Sequence, residues 1–120
     1  MILEKSMKVT TETLASTIGS GLVDVYSTPS MITFMEETSK ELALPLLKEG
    51  EVTVGVEINI KHLRAVTLNE EVVCRAELKE QNGKILTFRT KVTHHGKVAG
   101  DGIIKRAIVH REKFMEQAHS

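Results

Sequence analysis

Three side chains in this sequence combine a type suited to general acid–base or nucleophilic chemistry with a suggestive placement: the Thr28 hydroxyl, the Glu36 carboxylate and the His62 imidazole. Thr28 and Glu36 belong to the run Ser27-Thr28-Pro29-Ser30-Met31-Ile32-Thr33-Phe34-Met35-Glu36-Glu37-Thr38, which reads as the start of the chain's one long helix. The Thr28 hydroxyl suits an N-cap, because it can accept from a free N–H of the first turn. Pro29 suits the first helical position, where its fixed φ helps and its missing N–H costs nothing. The positive, unpaired end of a helix is a natural place to hold an oxyanion. On a wheel of about 100° per residue, Met31, Phe34, Met35, Thr38, Leu42 and Leu46 form one face. Glu36 lies at its margin, beside Ile32 and Ala43, where a carboxylate can have a raised pKa and act as a base or a nucleophile. His62 closes an alternating run on its apolar side, and an imidazole titrates near neutrality. The plain alternative is a capped amphipathic core helix with surface acids and a structural histidine.

These residues need elements to position them. The helix is expected from about Pro29 to Leu44, with a kink or an end at Pro45, whose ring would clash with the carbonyl of Glu41. A first strand is expected near 6–13, followed by a turn at Gly19-Ser20-Gly21 and a short apolar lead-in, Leu22–Tyr26, at a pocket mouth. Glu51–His62 alternates most clearly, with Val52, Val54, Val56, Ile58 and Ile60 inward. Strands are also expected over 71–81, 85–94 and 98–110. Asn82-Gly83 predicts a type I′ hairpin turn, because these residues supply the two positive-φ positions. Gly100 and Gly102 predict a bulge or a close backbone approach. Cys74 reads as a small core residue. His94 and His95 are adjacent on a strand end and so are expected to point opposite ways, which argues against a metal site. Residues 111–120 read as a charged tail. One helix and about five antiparallel strands make a single α+β domain over residues 1–120.

Composition narrows the function classes. The 120 residues include 16 Lys+Arg and 16 Asp+Glu, so the formal net charge is zero. That disfavours nucleic acid or an anionic membrane as a partner. Three Phe, one Tyr and no Trp leave few platforms for stacking bases. The single cysteine forms no internal disulfide, and neither a signal-peptide run nor a membrane span is evident, so a cytoplasmic location is expected. No P-loop or dinucleotide fingerprint is present.

The element order, with the runs Gly19-Ser20-Gly21 through Thr28-Pro29, Met35-Glu36-Glu37, Val54-Gly55-Val56 to His62, and Gly102 to Phe114, resembles the hotdog-fold thioesterases similar to fluoroacetyl-CoA thioesterase. The resemblance covers nearly the whole domain. It implies a hotdog fold, one long helix wrapped by a roughly five-stranded antiparallel sheet. It implies hydrolysis of an acyl thioester, with Thr28, Glu36 and His62 as the catalytic group. It further implies Gly55 and Arg106 as substrate-binding residues, no metal, and no cofactor beyond the CoA of the substrate. Leu22–Tyr26 is shorter than the aromatic-rich lid of the fluoroacetyl-specific enzyme, so a general acyl thioester is expected, and the small side chains around Gly55 suggest a short acyl group.

Thr28 and Glu36 stand eight residues apart on one helix. At 1.5 Å per residue that is about 12 Å, too far for both to act on one carbonyl. The expectation is therefore a homodimer or a higher oligomer, in which Glu36 of one copy meets Thr28 of another. Either Thr28 or Glu36 can be the nucleophile in such a scheme, and Arg106 can bind a phosphate or a pantetheine carbonyl or simply pair with an acid in the sheet. A non-catalytic module that binds an acyl thioester is the alternative function.

Overall fold

The alternating stretches form five strands, β1 (Ile2–Lys8), β2 (Glu51–His62), β3 (Glu71–Asn82), β4 (Ile85–His94) and β5 (Lys97–His110), in the computed structural model, which describes all 120 residues. They pair antiparallel in one sheet of order β1-β3-β4-β5-β2. Helices α1 (Ala15–Ile18), α2 (Thr28–Ala43) and α3 (Arg111–Ala118) complete the chain. No helix is long and apolar enough to cross a membrane.

The apolar stripe of α2 decides where the sheet closes. Met31, Phe34, Met35, Thr38 and Leu42 are all buried, as their helical spacing predicts. The upper half of α2 packs with Tyr26, Val72, Cys74, Val92 and Ile104, and the lower half with Ala76, Leu86, Phe88 and Ile108. On β4, Leu86, Phe88, Thr90 and Val92 alternate inward and are fully buried. Each large apolar side chain so buried contributes roughly 1.5–3 kcal/mol. Beyond Ala43 the chain tightens into a 3₁₀ turn over Leu44–Leu46, because Pro45 cannot continue the α-helix.

Several local expectations are corrected. The first strand begins at Ile2 and ends at Lys8. Thr13 Oγ1 then accepts from Thr10 N at 3.1 Å and donates to Thr10 O at 2.9 Å, and these short-range bonds draw the backbone out of the strand. The β3–β4 hairpin exists, but Asn82 pairs with Ile85, so the loop is Gly83-Lys84. Only Gly83 (φ 60°) is left-handed there, which fits a turn with glycine at its first central position. Both positive-φ positions of a type I′ turn occur instead at His95 (50°) and Gly96 (73°), between β4 and β5. The charged tail is helical over Arg111–Ala118, with every residue exposed.

The largest correction lies in β2. Its pairing with β5 shifts between Gly55 and Glu57, leaving Val56 as a bulge. Facing changes at that point. Before the bulge, Thr53 and Gly55 sit opposite the buried Ile108 and Arg106; after it, Ile58, Ile60 and His62 sit opposite Ile104, Gly102 and Gly100. Val52 and Val54 are therefore not the inward residues their alternation predicts. Val56 and Ile58 remain 53% and 40% exposed, because β2 is the edge of the sheet.

Candidate active site

Two clusters form on α2, one at its N-terminus and one two turns further on. At the N-terminus the cap is Ser27, whose Oγ accepts from Ser30 N at 3.1 Å, and Thr28 is already helical. This corrects the expected cap by one residue. Ser27 and Thr28 are both competent caps, and Pro29 tolerates either of the first two helical positions. The consequence is chemical: the Thr28 hydroxyl is relieved of capping and lies 2.7 Å from His62 Nδ1.

His62 reaches Thr28 because it ends β2 on the inward side of the sheet. Its Nε2 is buried and has no hydrogen-bond partner. Burial lowers the pKa of the ring below the ordinary 6.5, opposed in part by the nearby backbone of Arg64, which favours the protonated ring. The imidazole is therefore largely neutral at pH 7, and in the tautomer with its proton on Nε2 the Nδ1 lone pair faces the Thr28 hydroxyl. Thr28 and His62 open onto a cleft of about 430 Å³, lined also by Val23, Tyr26, Ser27 and Ala65. The expected lead-in segment does form its wall, although Leu22 at the tip is fully exposed.

The second cluster joins Glu36, Gly55 and Arg106. Arg106 Nη1 donates to Glu36 Oε2 at 3.3 Å. Its Nε and Nη2 donate to Thr53 Oγ1 and Thr53 O at 2.9 and 3.0 Å. The Arg106 side chain is 8% exposed and that of Glu36 35%. Desolvation lowers the Arg106 pKa and the Glu36 carboxylate opposes it. Gly55 lets the carboxylate sit close to the strand: a Cβ would stand 2.8 Å from Glu36 Oε2 and displace it. Arg106 thus holds an acid on the helix rather than one in the sheet. Thr53 is the partner that the sequence pattern missed, because the disguised bulge assigned it to the outer face.

Within the chain the clusters stay separate. Glu36, Gly55 and Arg106 take no part in lining the Thr28–His62 cleft. The eight-residue separation of Thr28 and Glu36 on a regular helix explains this, at about 12 Å.

Residues 9–112 match the model of the fluoroacetyl-CoA-specific thioesterase family. The fluoroacetyl-CoA thioesterase of Streptantibioticus cattleyicolor is 31% identical over 91 residues, covering 76% of this chain and 66% of that relative. The match therefore spans just under two thirds of the relative's length. A solved structure of fluoroacetyl-CoA thioesterase superposes with a TM-score of 0.93 at 23% identity, covering 99% of this chain and 93% of that one. A Thermus thermophilus hypothetical protein, described as a thioesterase superfamily member, gives 0.92 at 23% identity, covering 99% and 88%. At such identities the structural matches establish the fold, which is the hotdog fold expected from the element order. With its sequence matched over nearly all of the domain, this chain belongs to the fluoroacetyl-CoA-specific thioesterase family.

Proposed function

We propose that the protein hydrolyses short-chain acyl-CoA thioesters, with Thr28 as nucleophile, His62 as its base and Glu36 as the acid partner from a second copy. One observation carries the reading: the Thr28 hydroxyl lies 2.7 Å from a neutral imidazole at the head of a helix. His62 Nδ1 takes the hydroxyl proton as Thr28 Oγ1 attacks the thioester carbonyl carbon. Pro29 has no N–H, and the Ser30 N–H is bound by Ser27, so the Thr28 N–H is the first-turn donor left for the developing oxyanion. Collapse breaks the C–S bond, and the proton on Nδ1 passes to the departing thiolate. Water then adds to the Thr28 ester, giving a proton to His62, and the free acid leaves as Thr28 recovers its proton. Glu36 acting directly, as nucleophile or as base toward water, is the competing route at the same site.

With Nδ1 as the base, Nε2 carries the ring's own proton, buried and unpartnered, and the cation formed on proton transfer increases its need for an acceptor. A carboxylate would supply one and fix the ring, as in other nucleophile–base–acid groups. Glu36 is too far away within the chain. The free edge of β2, with Val56 and Ile58 exposed, is where a second copy would add by two-fold symmetry and bring its Glu36 to this cleft. Gly55 leaves room for the Glu36 carboxylate, and Arg106 holds it in place. The chemistry uses side chains alone, with CoA as part of the substrate. A single buried cysteine fits a reducing, cytoplasmic setting.

Thiol release from a panel of acyl-CoAs, short to long, tests the proposal. Turnover of short acyl-CoAs, lost in Glu36→Gln, is expected. Tight binding of acyl-CoA without thiol release would instead identify a binding module.

A further inference from the structure

At the β4–β5 turn, far along the sheet from Glu36, three metal-ligating side chains converge that share no residue with the cleft. Glu70, just before β3, places Oε1 2.9 Å from His94 Nε2 and 3.1 Å from His95 Nε2. One ligand atom from each lies within 4.8 Å of the other two. The two rings stand 4.1 Å apart, centroid to centroid. Adjacent histidines on a regular strand would point to opposite faces. Here His94 keeps its inward strand position, while His95 enters the turn at φ 50° and swings its ring back over the same carboxylate. The sequence-based argument against convergence fails because His95 is a turn residue.

We propose that Glu70, His94 and His95 form a binding site for a divalent transition-metal ion, zinc by ligand preference. Two imidazoles and one carboxylate are a known zinc donor set, with a further position left for water. The set is graded in access: the His94 side chain is 9% exposed, Glu70 39% and His95 73%. An ion can therefore enter from solvent beside His95 and reach the buried nitrogen of His94. The two separations near 3 Å between Glu70 Oε1 and the imidazole nitrogens approach those around a tetrahedral ion with bonds of about 2.0–2.2 Å. On binding, the ion replaces the protons now shared between the Nε2 atoms and Oε1. The His94 proton must then sit on Nδ1, which is buried without a partner, so the site is weaker than a closed structural zinc site. The ion would tie the loop that leads from His62 to Glu70 onto the β4–β5 turn. Val9, whose N–H donates to Glu70 O at 2.8 Å, is anchored to the same point.

The test is zinc titration of the tag-free, full-length protein by calorimetry, with thermal unfolding followed in parallel. His95→Asn keeps a residue that tolerates left-handed backbone, and Glu70→Gln keeps the shape of the acid. The expected result is saturable uptake of one ion per chain and a rise in Tm on adding zinc, since an ion that binds only the folded chain stabilises it. Both responses should weaken by at least ~10-fold in apparent affinity in each variant and persist in His119→Ala, which removes an exposed histidine of the tail. Absence of saturable uptake at micromolar free zinc, uptake that survives either substitution, or uptake lost with His119 would overturn the assignment.

Discussion

Gly55 and His62 lie seven residues apart on β2, yet both face α2: Gly55 abuts Glu36, and His62 bonds Thr28. On a regular strand an odd interval places two residues on opposite faces. The Val56 bulge removes that conflict and turns both halves of the strand toward the helix. The bulge, rather than any one side chain, is what presents an acid cluster and a hydroxyl–imidazole pair on one side of the sheet.

The close approach at Gly55 gives a first prediction. A Cβ there meets the far end of the Glu36 side chain, which can swing aside at little cost in stability. Gly55→Ala should therefore fold normally, with Tm shifted by no more than a few degrees. Because Glu36 is displaced, kcat/KM for a short acyl-CoA should fall by ~10-fold or more, since small misplacements of reacting groups are costly. Steady-state kinetics beside thermal unfolding decides it. A variant with unchanged kinetics would remove Glu36 from the reaction.

His62 supplies a prediction about pH. Burial disfavours its cation, so its pKa in the folded chain lies below 6.5. If neutral His62 is the base, kcat/KM should be level above neutrality and fall by tenfold per pH unit only on the acid side of that lowered value. His62→Ala and Thr28→Ala should each lower kcat by ~10²-fold or more while unfolding near the wild-type temperature. A pH–rate profile centred well above 6.5 would contradict the role given to His62.

Arg106 makes a stability prediction. Its guanidinium is buried and bonds Glu36 and both oxygens of Thr53. Breaking a fully buried pair by removing one partner costs about 3–5 kcal/mol, and the partial exposure of Glu36 reduces this to roughly 2 kcal/mol. Arg106→Met should therefore lower the free energy of unfolding in urea by that amount. Adding Glu36→Gln should recover part of the loss, because no uncompensated carboxylate remains. Equal losses in the single and double variants would show that Glu36 does not feel Arg106.

What the sequence revealed and what it hid follow from the range of each interaction. The helix and its buried stripe were legible because Met31, Phe34, Met35, Thr38 and Leu42 follow a local period. The full extents of β2 and β4 were legible for the same reason. The bulge was hidden because Val54, Val56, Ile58 and Ile60 keep a perfect alternation through it; the interior Gly55 was its one local mark. The cap was misplaced because Ser27 and Thr28 are both competent, and the choice depends on His62, distant in sequence. The convergence of His94 and His95 on Glu70 depends on a single left-handed residue in a turn, which strand alternation does not describe.

The last prediction concerns where a complete site resides. A site shared between two copies, as proposed, would account for both the unpartnered Nε2 of His62 and the separation of Glu36 from Thr28. In that arrangement Thr28→Ala and Glu36→Gln are each inactive as homodimers. Mixing them under conditions that allow subunit exchange gives heterodimers with one doubly altered site and one site carrying both native residues. By two-fold symmetry, statistical exchange should restore about one quarter of wild-type activity. If each site is built within one chain, every chain in the mixture lacks one residue and no activity returns. Thiol release before and after exchange, with size-exclusion chromatography to establish the dimer, separates the two cases. A fully active monomer at assay concentration would refute the shared site outright while leaving the Thr28–His62 pair to be tested by its own variants.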